Sequence, residues 1–139
     1  MGYFTNKKIL LTGGAGFLGK YVFRELLRNG AKEENIEISR SKTNNLMILA
    51  NVKKLVRNKD IVIHLAGLVG GIGFNRESPG RMIYENLLMG LNLIEQVRLE
   101  QVKKLIIVGT VCCYPKFTAV PFKEKDLWNG YPEETNAPY

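Results

Sequence analysis

Apolar positions along this chain follow two rhythms, short solid runs and longer stretches at helical spacing. The first solid run, Ile9-Leu10-Leu11, passes through Thr12 into Gly13-Gly14-Ala15-Gly16, and Phe17, Leu18, Val22, Phe23, Leu26 and Leu27 follow at helical spacing. That order predicts strand, tight turn, helix, with Asn29-Gly30 ending the helix. Residues 35–39 predict a short second strand, and Leu46, Ile48, Leu49, Val52, Leu55 and Val56 predict a short crossover helix within 46–57. Residues 60–67 are the most uniformly apolar stretch and predict a central parallel strand buried on both faces. A glycine-rich loop over 68–75 follows, and Ser78-Pro79 opens a long helix reaching about Glu100. Ile83, Leu87, Leu91, Ile94 and Val97 form one stripe of that helix, with Met82, Leu88, Met89 and Leu93 off it. Such breadth predicts burial on a second side, against the fold or in a dimer. Residues 104–110 predict another buried strand tipped by Thr110. Beyond Val111 the periodicity fades and four of the five prolines appear. Strands alternating with helices predict a doubly wound parallel α/β sheet with right-handed crossovers.

Composition narrows the class without changing the fold. The 139 residues are 45% hydrophobic and 24% charged, as in an ordinary globular domain, and suffice for one core. No apolar run approaches the roughly 20 residues of a membrane span, and the first six residues lack the apolar block of a secretory signal, so a soluble cytoplasmic protein is expected. Cys112 and Cys113 are sequence neighbours, which disfavours a disulfide between them, and with His64 the only histidine no metal site is expected. The net charge of +7 is spread along the chain, with Lys7-Lys8, Lys53-Lys54 and Lys103-Lys104 at or before strands. No nucleic-acid-binding signature accompanies it, so the reading is a solvated surface that also attracts phosphorylated ligands and no nucleic-acid partner.

Candidate chemistry concentrates at strand ends. A glycine turn between a strand and an amphipathic helix lets backbone N–H groups approach a pyrophosphate, where the helix dipole favours negative charge. In a dinucleotide fold the tip of the second strand meets the adenosine ribose. Here it reads Ser39-Arg40-Ser41-Lys42, with no acid, so Arg40 favours a 2′-phosphate and NADP over NAD. Ala66 and Gly67 leave room for a ligand at the carboxyl end of the central strand, whereas His64 within it reads as a packed histidine. Phe117, Phe122, Trp128 and Tyr131 supply apolar faces in the long terminal loop, to wall a pocket or to pin the loop down.

These residues resemble one family, the extended short-chain dehydrogenase/reductases, and within it enzymes of the GDP-L-fucose synthase type and related NAD-dependent nucleotide-sugar epimerases. Thr12-Gly13-Gly14-Ala15-Gly16-Phe17-Leu18-Gly19 resembles the family's cofactor motif and His64-Leu65-Ala66-Gly67 its central-strand motif. More specific are residues 69–75, Ile83-Tyr84-Glu85-Asn86-Leu87, and above all Gly109-Thr110-Val111-Cys112-Cys113-Tyr114-Pro115-Lys116-Phe117 with residues 132–139 behind it.

The resemblance implies a Rossmann-type domain over residues 1–139, preceding a C-terminal substrate domain. It places the dinucleotide, NADP in preference to NAD, on Gly13, Gly16, Phe17, Leu18, Gly19, Arg40, Asn45, Leu46, Leu65, Ala66 and Gly67. Asn45 stands where the family often has Asp. The resemblance makes Thr110 the group that hydrogen-bonds the sugar oxygen undergoing redox change and Tyr139 the proton donor. Cys112 matches an acid/base of epimerisation, its alternative being a small buried filler. Asn86 matches an asparagine that orders the site. The implied partners are a nucleotide-sugar substrate, such as a GDP-4-keto-6-deoxy sugar, and a second copy of the chain. The lysine that in the family follows the tyrosine by four residues lies beyond position 139, as do the epimerising histidine and the sugar-nucleotide half. The 139-residue chain alone is therefore expected to be a weak or inactive catalyst, with a noncatalytic NAD(P)-binding module as the alternative.

Overall fold

A computed structural model describes residues 2–137. Its chain divides into two compact units, Met1–Gly67 with Leu88–Val108, and Leu68–Leu87 with Gly109–Tyr139. The first holds a four-stranded parallel sheet of β1 (Ile9–Thr12), β2 (Ile36–Ile38), β3 (Ile61–His64) and β4 (Lys104–Ile107), in the order β2-β1-β3-β4. From β1 the chain moves outward to β2 and then crosses to the opposite side of β1 for β3. The crevice at the carboxyl ends of β1 and β3 is thus the switch point where open α/β sheets bind ligands.

Alternation along the strands builds two apolar layers. Leu10 and Val62 join Leu46, Val52, Leu55, Val56, Leu93 and Val97 in one, while Ile9, Leu11, Ile61 and Ile63 join Leu26 and Ala31 in the other. Helix α1 (Phe17–Arg28) covers the second layer, and Asn29 and Gly30, the latter at φ +90°, end it as the sequence predicts. Helix α2 (Leu49–Val56) is shorter than the 46–57 window, because Asn45 Oδ1 accepts the Met47 N–H at 2.9 Å and holds that segment in a turn.

Three expectations are corrected. The loop over 68–75 contains the start of a helix, α3 (Ile72–Glu77), ahead of α4 (Pro79–Leu99). Strand β4 is not buried: among the described residues it pairs only with β3, on the sheet's edge, leaving Ile106 and Ile107 exposed. On α4 four members of the expected stripe, Ile83, Leu87, Leu91 and Ile94, are exposed, whereas its fifth, Val97, is buried together with Met82, Leu93 and Gln96. Spacing identified a helix with two apolar sides but carried no information on which side meets the sheet.

The second unit comprises α3, the first turns of α4 and the segment after Gly109. That segment is irregular, as expected, apart from short 3-10 turns at Val111–Cys113 and Glu124–Asp126. Among the described residues no helix is long and apolar enough to cross a membrane.

Candidate functional site

In the first unit the site is built from the ends of β1 and β3. Gly13 sits at φ +69°, and a Cβ there would lie 2.8 Å from Ala66 N and from the Leu65 carbonyl carbon. Glycine is required twice over, by the left-handed backbone and by the contact with the β3 end. A Cβ on Gly19 would overlap the Gly13 carbonyl, so the first turn of α1 lies directly against the turn that precedes it. Gly16 caps α1 without a side-chain hydrogen bond, and the first turn of α1 holds no acidic residue. The leading N–H groups, at Phe17, Leu18 and Gly19, therefore remain available at the positive end of the helix dipole. A cradle of this kind, with no room for a Cβ at Gly13 or Gly19 and lined by uncapped N–H groups, fits a pyrophosphate.

Thr12 closes the cradle from below. Its Oγ1 accepts the Ala66 N–H at 3.3 Å and shares a 2.7 Å hydrogen bond with His64 Nδ1, its register partner on β3. His64 is buried, and desolvation alone lowers its pKa below the ordinary histidine value, so the ring is neutral near pH 7. This agrees with a packed rather than catalytic histidine. The partnership with Thr12 was missed in the sequence, although both residues are polar interruptions closing apolar runs.

The remaining expected cofactor residues of this unit lie around the same strand ends. Ser39 N–H donates to Leu11 O at 3.3 Å, which continues β2 alongside β1 and brings the chain to Arg40. Arg40 is exposed and, among the described residues, has no ion-pair partner, while its carbonyl accepts the N–H groups of Thr43 and Asn44. Leu65 and Ala66 pack into the two apolar layers and Gly67 is exposed. The Asn45 side chain is engaged with Met47. The Leu46 side chain is buried, and its carbonyl accepts from Asn92 Nδ2 at 3.1 Å. Phe17 is exposed and meets Tyr21 edge to face at 5.5 Å, and Leu18 is exposed beside it.

In the second unit Thr110 caps the turn Val111–Cys113. Its Oγ1 accepts the Cys112 N–H at 3.2 Å, and its carbonyl accepts the Cys113 thiol. Thr110 and Cys112 are half-buried and Cys113 is exposed. One hydroxyl thereby fixes the residue two positions on, an arrangement that holds an alcohol and a thiol in one turn. Asn86 clamps Leu68 from both sides, accepting its N–H at 2.7 Å and donating to its carbonyl at 3.0 Å. Phe117 and Tyr131 wall a cavity of about 340 Å³ with Lys116 and Asp126, while Phe122 stacks on Tyr114 instead. Glu133, bonded to Thr135, has its pKa lowered first by that hydrogen bond and then by the positive charges of Lys116 and Arg76. Tyr139 lies outside the described residues. Among the described residues no three His, Cys, Asp or Glu side chains cluster as a metal site would require.

Comparison with known proteins identifies the family. The model of the NAD dependent epimerase/dehydratase family matches residues 9–139, and the chain belongs to that family. A GDP-L-fucose synthase of Sinorhizobium fredii is 36% identical over 134 residues, covering 96% of this chain and 42% of that protein. A GDP-L-colitose synthase of Yersinia pseudotuberculosis is 32% identical, covering 95% of this chain and 42% of its own length. Among solved structures, the GDP-mannoheptose C4 reductase MlghC from Campylobacter jejuni, with NADP bound, superposes with a TM-score of 0.88 at 28% identity, over 96% of this chain and 40% of that one. The chain thus spans about two-fifths of the length of the relatives it matches.

Proposed function

We propose that this member of the NAD dependent epimerase/dehydratase family is the cofactor-binding part of a GDP-sugar epimerase/reductase, taking NADP(H) in preference to NAD(H). The observation that carries the reading is the cradle after β1, where a Cβ at Gly13 or Gly19 would fill the space and the first turn of α1 is uncapped. A bound dinucleotide supplies or accepts hydride at a sugar carbon. The N–H groups of Phe17, Leu18 and Gly19 hold its pyrophosphate, and Gly16 keeps the approach clear. Arg40, free of ion pairs among the described residues, meets a 2′-phosphate, and Leu65, Ala66 and Gly67 bound the cofactor from the β3 side. The NADP named with relatives such as MlghC supports that preference.

For the sugar end the proposal rests on Thr110, Cys112 and Tyr139. Thr110 Oγ1 accepts from Cys112 N–H and keeps its own proton for a substrate oxygen. The Cys112 thiol, half-buried in the same turn, holds a proton for exchange next to a carbonyl, and Tyr139 delivers a proton as hydride arrives. The names of the relatives support a GDP-4-keto-6-deoxy sugar or a similar nucleotide sugar as substrate. The exposed stripe Ile83, Leu87, Leu91 and Ile94 supports pairing with a second copy.

The 139-residue chain alone binds the dinucleotide and turns over weakly or not at all, since the relatives are more than twice its length. A noncatalytic NAD(P)-binding module is the second reading, favoured by the concentration of both apolar layers in the cofactor-binding unit. The test is NADPH-dependent turnover of a GDP-4-keto-6-deoxy sugar by the longest open reading frame containing this sequence. Thr110→Val is expected to cut kcat at least a hundredfold with little change in NADPH affinity, and Thr110→Ser to restore most of it. NADPH binding without turnover by that protein would favour the module.

A further inference from the structure

We propose that Asn75 recognises the sugar of the substrate, its side-chain carbonyl accepting a hydrogen bond from a sugar hydroxyl; the proposal rests on the GDP-sugar reading above. Asn75 is the one buried residue of α3, 8% exposed, on a helix whose other residues are exposed or half-buried. Its Oδ1 is buried and has no hydrogen-bond partner among the described residues. A buried carbonyl oxygen without a donor is a standing cost to the fold, one that an apolar side chain of similar size would not carry. Such an atom calls for a partner that arrives from outside the chain.

The chemistry of that partner follows from the atom. An amide carbonyl only accepts, so the partner is a donor, and the pyrophosphates of a dinucleotide or a sugar nucleotide offer acceptors. Hydroxyl groups remain, on the sugar and on the riboses. Position favours the sugar, because Asn75 lies in the compact unit that also holds Thr110 and Cys112, the sugar-end groups of the proposed site, whereas Gly13, Gly16 and Gly19 lie in the other. Oδ1 is covered, so recognition requires α3 to turn, and its joints permit this. A Cβ at Gly71, just before the helix, or at Gly73 within it would meet nothing within 4 Å. After it, Ser78 at φ −133° and ψ 45° separates α3 from α4. Asn86 anchors the start of the loop at Leu68, and among the described residues no side-chain hydrogen bond or ion pair ties α3 itself to another element.

The experiment compares wild type with Asn75→Leu and Asn75→Met in two assays. Urea denaturation of the 139-residue chain is expected to give at least one variant a midpoint no lower than that of wild type, since an unpartnered acceptor gives way to an apolar group. The second assay is NADPH-dependent turnover of a GDP-4-keto-6-deoxy sugar by the longest open reading frame containing this sequence. There the variants are expected to raise KM for the sugar nucleotide about five- to tenfold, the weight of one hydrogen bond, with KM for NADPH within about twofold. Substrate analogues that each lack one sugar hydroxyl identify the contact: one of them loses about the same factor against wild type and nothing against the variants. A midpoint lowered in both variants, the methionine being able to adapt its shape to the site, means that Oδ1 already has a partner in the folded chain and overturns the proposal. So does a rise in KM for NADPH in place of the sugar nucleotide, an unchanged KM for both, or a set of analogues that lose equally against all three proteins. Should Asn75→Leu fail to fold, Asn75→Met carries both assays. A wild type that turns over no GDP sugar overturns the GDP-sugar reading and this proposal with it.

Discussion

In the first unit every residue of β1 and β3 is buried, whereas in the second Met82 is the one apolar residue buried to that degree among the described residues. Both units contain large apolar side chains, but they use them differently. The first stacks Ile, Leu and Val on two faces of a sheet. The second leaves Phe117, Trp128 and Tyr131 exposed and relies on short polar ties such as Asn86 with Leu68 and Thr110 with Cys112. Parallel sheets must be covered on both faces, which concentrates burial around their strands. A segment that runs over the surface can be held by local hydrogen bonds, which keep its shape without a core of its own.

Core truncation should separate the units most sharply. Leu10→Ala, at a fully buried site, is expected to cost about 2–5 kcal/mol of unfolding free energy, measured by urea denaturation. A cost under about 1 kcal/mol would mean that the sheet is not the stability core. Gly19→Ala is expected next in size. Its methyl meets the Gly13 carbonyl, so about 1–3 kcal/mol of strain appears together with loss of NADPH binding. Unchanged NADPH affinity in a folded Gly19→Ala protein would remove the cradle from the cofactor site.

Acid is a gentler probe, and two of the groups it titrates, His64 and Asp60, lie in the first unit. His64 has a lowered pKa in the folded state, so the unfolded chain takes up its proton first as pH falls. The contribution of His64 to stability is therefore constant above about pH 6.5 and declines below it, with a slope of at most about 1.4 kcal/mol per pH unit. Asp60 is also lowered, chiefly because its carboxylate accepts the Lys8 N–H at 2.9 Å. Its contribution is present above the ordinary aspartate range and is lost as pH falls through and below that range. Urea melts at stepped pH should show the His64 decline first, and His64→Asn should remove it while leaving the Asp60 step.

The smallest effect is expected in the second unit. Trp128→Ser and Phe117→Ser remove exposed rings and should change stability by no more than about 0.5 kcal/mol. A loss of 2 kcal/mol from either would show that the terminal segment carries packing of its own and would erase the contrast.

Much of the strand, glycine turn and helix start that form the candidate site was legible in the sequence because its determinants are local. The run from Ile9 through Gly19 specifies a strand, a turn that excludes side chains and a helix start within eleven residues, and the structure forms those elements there. Tertiary structure decided matters that depend on partners distant in the chain. Met82 and Leu93 rather than Ile83 and Leu91 are buried on α4, and β4 is an exposed edge rather than a covered strand. Thr12 and His64, 52 positions apart, meet because parallel pairing brings their strands into register. Periodicity records the shape of each segment, and that is what the sequence by itself determined. Which face is covered, and which polar residues meet, follows from sheet order, which no single segment encodes.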